Sequence, residues 1–600
     1  MDIERSSFDL TAVRQAYAQG TGVRALITEA RRRAAADRLN AYIHVLSEAE
    51  LEPYVARLER LASDSLPLYG LPFAIKDNID LAGVPTTAAC PQFAYTPGSH
   101  AHVVEKLIAA GAVPIGKTNL DQFATGLNGT RSPYGPGRNP FNPDYISGGS
   151  SSGSAIAVAT GSVGFALGTD TAGSGRVPAA FNKLIGLKPT CGLLSARGVV
   201  PACRSLDTVS IFALTAEDAA DVYAAALGFD AADAYARRAE PHGPDFAAGG
   251  AFRVGVPRAD QLEFFGDEAA RQCFAAALEL FASLGATLQE VDFAPFLETA
   301  RTLYGGPWVA ERHAAIGEFF DQSEAAVIAP VREIVAGARR FSATDAMRAM
   351  YALKAARRRC DSAWENLDCM LAPTAGSIYT IAELEADPIR LNSALGYYTN
   401  FMNLLDYCAV ALPAGTARAG LPWGVTIFAP AHRDLPLLRL AARAQQALGG
   451  TMGATAHRLP AARPLRSAVA SGCVLVAVCG AHMEGLPLNV QLRERAARLV
   501  ARTRSAPEYR FYALPGGPPE RPGMVRVDSG GACVELEIWE MPAAAFGSFV
   551  AAIPAPLAIG KVKLADGAEV PGFVCESWIA SYASDITHFG GWRAYQAARG

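Results

Sequence analysis

Three stretches of the sequence carry residue types that could form an activated nucleophile. FAIKDNID places Lys76 directly after an apolar, strand-like run, where its ammonium would be drawn toward the interior. GGSSSGSA sets Ser150, Ser151 and Ser152 among glycines, and Ser174 follows Ser150 by 24 residues, within GTDTAGSGRVP. A serine hydroxyl is a poor nucleophile unless a neighbour takes its proton, and a lysine can do so only as the neutral amine. Burial beside hydroxyl dipoles, with few acids near, favours that form; moving a lysine pKa from about 10.4 to near 7 costs roughly 4 to 5 kcal/mol. Asp77 is adjacent, but its side chain would face the other way if the strand continued.

Two short patterns compete for attention. GAVPIGKT, Gly111 to Thr118, fits G-x-x-x-x-G-K-[ST] at every fixed position. A phosphate-binding loop follows a strand and opens a helix. Here the order is reversed: HVVEKLIAA is amphipathic and stops at Gly111, and Val-Pro-Ile follows as a β-forming run whose proline lacks an N–H donor. Lys117 is expected to be a scaffold residue. Gly149 to Gly153 fits the nucleophile-elbow pattern G-x-S-x-G around Ser151, but the turn-rich RNPFNPDYISGG precedes it where a strand is required. His100 and His102 read as a helix start as readily as a metal pair.

The elements that must position these residues follow an α/β rhythm. A helical pattern runs from Ala12 to about Arg60; then LPFAI, AVPIG and GFALG alternate with helical stretches. FRVGVP and ATLQEVDF flank a helix ending at Gly285, residues 295 to 370 look helical, and LDCMLAPTA, CAVALPAG and LPWGVTIFA restore strands. The expected domains are 1–455, a Pro- and Arg-bearing linker at 456–470 that includes Pro460 and Pro464, and a small α+β domain at 471–600. In the last, CVLVAVCG and ACVELEIWEM read as strands, NVQLRERAARLVART as a helix, and IGKVKLADGAEVPGFVCE as a hairpin around Asp566-Gly567.

Composition narrows the classes. Half of the 600 residues are hydrophobic and the net charge is −4, so neither nucleic acid nor a membrane is the expected partner. The eleven cysteines form no C-x-x-C pair, and MDIERSSFDL lacks an apolar run; reduced thiols in the cytoplasm are the expectation. The uncharged tract from Tyr145 to Thr169 begins with Gly, Ser and Ala, which suits a loop entering a buried helix better than a bilayer span.

Lys76, the GGSSSGSA loop and TDTAGSGR, in that order and with SLD at 205–207, together resemble the amidase signature family, over nearly all of residues 10–440. That resemblance implies an amidase-signature fold, a mixed sheet covered by helices. It also implies a Ser-cisSer-Lys triad with Ser174 as nucleophile, Ser150 as bridging serine after a cis Gly149-Ser150 bond, and Lys76 as terminal base. The N–H groups of Thr171, Ala172, Gly173 and Ser174 match the oxyanion hole. Two positions depart from the commoner pattern, Ser152 in the first loop and Ala172 with Gly175 in the second; TDTAGSGR is similar to the allophanate hydrolases within the family. Their substrate carries a carboxylate, which calls for a fixed cation, and by resemblance Tyr304 and Arg312 grip it. Arg176 is the competing arginine. CGAHMEGLPLN and DITHFGGWRAY resemble the accessory domain of those enzymes, a small fold similar to gamma-glutamylcyclotransferases, with His482 as candidate for a decarboxylation step or, alternatively, as a loop-capping residue in a docking domain. No metal and no cofactor are implied; a homodimer and association with a urea carboxylase are the expectations for assembly. A broader amidase, or the amidase subunit of an amidotransferase, is the alternative.

Overall fold

The apolar runs LPFAI, AVPIG and GFALG become neighbouring strands at one end of a single large sheet. The computed structural model describes residues 3–239, 246, 252–463, 465, 473–565 and 567–599. Eleven strands make the sheet: β1 (Tyr42–Val45), β2 (Pro72–Lys76), β3 (Val113–Thr118), β4 (Phe165–Asp170), β5 (Ile185–Lys188), β6 (Thr208–Ala213), β7 (Phe252–Pro257), β8 (Ala286–Val291), β9 (Cys369–Pro373), β10 (Tyr407–Thr416) and β11 (Pro422–Pro430). Their order is β1-β3-β2-β4-β6-β5-β10-β11-β9-β7-β8. The sheet is mixed: β2 runs parallel to β3 and β4, the middle strands are antiparallel, and β7 is parallel to β8 and β9. β2, β3 and β4 are buried along their whole length, which is why they read as continuous apolar runs rather than alternating ones. The helix Ser152–Ala159, buried throughout, packs on β2, β3 and β4.

GAVPIGKT is the end of a helix and a strand. The helix His102–Ala109 stops ahead of Gly111, which has φ +101°, and β3 follows with Lys117 fully buried. Lys117 Nζ pairs with Asp77 at 3.0 Å and donates to Thr86 Oγ1 at 2.9 Å. His100 and His102 do not form a metal pair: His100 Nδ1 accepts from Ala82 N, and His102 Nδ1 meets Arg197.

Two local expectations are corrected. The helical pattern from Ala12 to Arg60 is interrupted by β1, whose Tyr-Ile-His-Val gains more from antiparallel pairing with β3 than a helical turn would offer. NVQLRERAARLVART is not one helix. It is helical only over Asn489–Arg493; Ala496 turns with φ +54°, and the rest becomes a strand, where Arg498 reaches a buried pair with Glu540 at 2.6 Å.

The chain divides into two units, the larger running to residue 466 and the smaller formed mainly by the remainder of the chain. The stretch expected as a linker begins anchored, with Arg463 bound to Asp218 and Asp221 at 2.7 and 2.6 Å; Pro464 and 466–470 lie outside the described residues. The smaller unit has β12 (Cys473–Val478), β13 (Arg498–Arg504), β14 (Tyr509–Ala513), β15 (Pro522–Arg526), β16 (Glu535–Pro542), β17 (Leu557–Lys563), β18 (Glu569–Cys575) and β19 (Ser584–Asp585). They form a five-stranded sheet, β13-β16-β12-β18-β17, and a three-stranded one, β15-β14-β19, over a core that includes Val476, Trp539 and Phe573. β17 and β18 are the expected hairpin; Asp566, at its turn, lies outside the described residues.

Removing one partner of a buried ion pair costs about 3 to 5 kcal/mol. Lys117→Met is therefore expected to lower the unfolding free energy by that amount, read from chemical denaturation, while millimolar ATP leaves the melting of the unaltered protein unchanged. A loss under about 1 kcal/mol, or stabilisation by ATP, would contradict the scaffold role.

Candidate active site

Lys76 ends β2, fully buried, and the strand delivers its Nζ to 2.7 Å from Ser150 Oγ and 2.7 Å from Thr169 Oγ1 on β4. Its partners are hydroxyls; among the described residues it has no carboxylate within ion-pair distance. Burial pushes its pKa down to about 7, against the more distant pull of Asp121, Asp207 and Asp170. Asp77 turns the other way, as the strand pleat requires, and is held by Lys117 and by the Thr87 N–H at 3.0 Å.

Ser150 follows a cis Gly149–Ser150 peptide and is fully buried. Its carbonyl accepts from Asp121 N at 3.1 Å, and Gly149 N donates to Leu127 O at 2.9 Å. A Cβ on Gly149 would lie 2.3 Å from Asp121 Oδ2 and 2.5 Å from Gly129 N, so only glycine fits. The Asp121 carboxylate is itself occupied, accepting from the N–H groups of Gly129 at 3.0 Å and Arg131 at 2.9 Å. Ser151, the elbow-pattern serine, hydrogen-bonds the backbone of Thr169 and serves packing.

The loop after β4 carries Ser174, which is 3% exposed. Its hydroxyl donates to Gly126 O at 3.5 Å, and Ser150 is not among its hydrogen-bond partners in this structure. The loop is fixed from both ends. Asp170 holds Arg176 through two 2.9 Å bonds and also accepts Gly175 N at 2.9 Å; although burial raises its pKa, the Arg176 guanidinium brings it below the usual carboxylate range. Arg176 is thereby spent on structure. The Thr171 hydroxyl donates to Asp207, which also accepts from Ala202 N at 2.7 Å. Gly173 has φ +146°, and a Cβ there would sit 2.4 Å from Thr399 Oγ1. The N–H groups of Thr171, Ala172, Gly173 and Ser174 donate to no atom among the described residues, while those of Gly175 and Arg176 do. Four unspent donors beside a buried serine can stabilise an oxyanion.

Tyr304 and Arg312 come together: Arg312 Nη2 donates to the Tyr304 hydroxyl at 3.3 Å, and its guanidinium lies 5.1 Å from the ring centre. Arg312 Nη1 donates to Thr125 Oγ1 at 2.8 Å, one residue before the Gly126 that receives Ser174. Arg312 is 3% exposed and has no carboxylate within ion-pair distance among the described residues. Arg131 is not legible as a site residue from sequence. It is equally buried, donates to Thr125 O at 3.0 Å and Pro388 O at 2.6 Å, and leaves Nε without a partner. Its only sequence signal is a charge in the apolar and turn-forming stretch after Asp121. Two buried guanidiniums on one threonine, neither with a carboxylate in ion-pair contact among the described residues, make a wall that favours an anion.

His482 lies in the smaller unit. It stacks on Phe573 at 4.9 Å, meets Phe549 edge-on at 5.3 Å, and bonds Gln491 Oε1 at 3.0 Å; burial lowers its pKa, which favours the neutral ring.

The sequence profile described as Amidase matches residues 25–438. The chain belongs to the amidase family. A second profile, described as Allophanate hydrolase C-terminal domain, matches residues 474–597 of this family member. It is 42% identical over 571 residues to the urea amidolyase of Saccharomyces cerevisiae, covering 93% of this chain and 31% of the relative; the chain thus spans about a third of the curated urea amidolyases it matches. It is 35% identical to a glutamyl-tRNA(Gln) amidotransferase subunit of Natronomonas pharaonis, over 67% of this chain and 98% of the relative. Among solved structures, the allophanate hydrolase of Kluyveromyces lactis superposes with a TM-score of 0.82 at 38% identity, covering 98% of each chain.

Below about pH 7 Lys76 keeps its proton and can accept nothing from the serines; above it the amine is free. For this member of the family, kcat/KM for amide cleavage is expected to rise with pH through about 7 and then level. A pH–rate profile flat from about pH 5.5 to about 9 would exclude Lys76 as the base.

Proposed function

We propose that the chain hydrolyses allophanate to ammonia and N-carboxycarbamate through a Ser-cisSer-Lys acyl-enzyme. The observation that supports this substrate class is Arg312, a buried cation with no carboxylate within ion-pair distance among the described residues, linked to Ser174 by way of Thr125 and Gly126. The substrate carboxylate would supply the missing charge, with Tyr304 closing over it.

Ser174 attacks the amide carbon and its proton passes to Ser150, whose own proton goes to Lys76. The oxyanion collects on the N–H groups of Thr171, Ala172, Gly173 and Ser174, where removing one donor costs about 3 kcal/mol. Lys76 returns the proton through Ser150 to the departing nitrogen, and ammonia leaves. Water then attacks the acyl-enzyme with Lys76 taking its proton; the acyl C–O bond to Ser174 breaks, and Lys76 returns the proton through Ser150 to the Ser174 oxygen, restoring both groups. The similarity to an allophanate hydrolase over both units favours this reading over a broad amidase or an amidotransferase subunit, whose relative is matched over only part of the chain.

N-carboxycarbamate must lose carbon dioxide to give carbamate, which releases the second ammonia. We assign that decarboxylation to the 471–600 domain with His482 as its candidate residue. Carboxylation of urea must supply the substrate, and a urea carboxylase is the partner we propose. A homodimer in the cytoplasm is the proposed assembly; no helix among the described residues is long and apolar enough to cross a membrane.

Ser174→Ala is expected to abolish ammonia release from allophanate with unchanged melting, and Arg312→Ala to raise KM about 10- to 100-fold, the worth of a charge-assisted bond. Ammonia release at the original rate from Ser174→Ala would overturn the mechanism. In the full chain, His482→Ala should release the first ammonia normally while carbon dioxide lags; carbon dioxide appearing without delay would remove His482 from the second step.

A further inference from the structure

A cavity of about 460 Å³ lies in the larger unit, outside the serine chamber: none of Lys76, Ser150, Ser174, Tyr304 or Arg312 lines it. The SLD segment at 205–207 forms part of its wall, opposite the helix Ala343–Asp361. Its charges are unevenly spent. Asp406 is bound by Arg237 through two 2.8 Å bonds, Glu311 accepts from the Ser205 N–H and hydroxyl, and Asp207 accepts from Thr171 and the 202–203 backbone. All three carboxylates are therefore committed inside the protein. Of the four cations, Arg237 is taken by Asp406 and Arg204 lies 3.6 Å from Asp233; the other two are not so paired. Lys354 and Arg357, one helical turn apart, have no carboxylate partner among the described residues, and Arg357 gives a single bond to Leu404 O at 3.2 Å.

What remains is a pocket with two cations on one helix that lack an ion-pair partner among the described residues, with Glu311 and Asp207 held by neutral hydrogen-bond donors, and with Trp308, Leu353 and Leu404 as apolar lining. Inorganic phosphate would satisfy the cations and leave those walls wet. A carbon skeleton bearing several carboxylates would meet both.

The cavity is wired to the catalytic loop at two points. Asp207 faces it and receives the Thr171 hydroxyl, and Asn403, also lining it, donates to Asp170 O at 2.8 Å and Leu206 O at 2.9 Å. The helix Val309–Ser323 presents Glu311 to the cavity, and the next residue, Arg312, to Thr125. We propose that this cavity is an effector site for a small organic polycarboxylate, held by Lys354 and Arg357, whose occupancy alters turnover through Asp207 and the loop at 171–174. A ligand there acts only by its differential affinity for two settings of that loop, so its effect falls on kcat and not on competition for substrate.

The test uses the full chain and citrate as probe, with phosphate as a second arm. Calorimetry is expected to show citrate binding to the unaltered protein, and at least tenfold weaker binding to the Lys354→Gln/Arg357→Gln double variant. That variant should keep kcat/KM within about twofold without citrate, since neither residue touches the serine chamber. Citrate should change kcat for any amide the protein turns over while leaving KM within about twofold. The proposal is overturned if citrate does not bind, if it only raises KM, if the double variant binds it as well as the original, or if phosphate binds as tightly. Binding is read without reference to allophanate, so a failure here is distinct from a failure of the proposed reaction.

Discussion

Everything at the candidate site depends on keeping one buried amine without a counter-ion. Lys76 sits at the end of β2 among hydroxyls, and the acid next to it in sequence is removed from reach by a second lysine: Lys117, on the neighbouring strand, takes Asp77 at 3.0 Å. The remaining acids are similarly engaged. Asp170 is clamped by Arg176, Asp121 by the N–H groups of its own loop, and Asp207 by Thr171 and the 202–203 backbone. Their fields still reach Lys76, but burial outweighs them. Had Asp77 faced the same side, the lysine would be an ammonium at all ordinary pH values and its strand would be just another buried salt bridge. The P-loop-like Lys117 thus serves the site without touching it.

How much of the site is readable from sequence depends on how local each determinant is. The central strands are legible because burial on both faces leaves unbroken apolar runs such as PFAI and FALG, and Lys76 stands out as a charge directly closing such a run. The two Gly/Ser loops carry enough fixed spacing to locate Ser150 and Ser174. β1 and β13 escape a sequence reading because their fate is decided by partners far away along the chain, β3 for the one and β16 with Glu540 for the other. Arg131 and Asp121 are hidden for the same reason. An arginine in a loop is ordinarily solvated, and only the fold shows Arg131 enclosed with Thr125 and Pro388.

The helix Val309–Ser323 shows how much one element can carry. Two consecutive residues on it serve opposite needs: Glu311 accepts hydrogen bonds from Ser205 on one side, and Arg312 is buried without an ion-pair partner among the described residues on the other. The rigid connection between them is the helical backbone itself, so any displacement that re-seats Glu311 also re-aims the guanidinium over Thr125.

The loop 171–174 keeps four backbone donors pointed at no protein acceptor among the described residues, and Gly173 cannot be replaced by a larger residue without striking Thr399. Such a cradle is already formed without substrate, which sets what would poison it. A trigonal boronic acid that becomes tetrahedral on meeting the Ser174 hydroxyl would place its oxygen on those donors, and a carboxylate on the same molecule would fall to Arg312. Inhibitors of that shape should discriminate by the length of the spacer between boron and carboxylate, because the loop follows β4 and Arg312 is held by Thr125 and Tyr304.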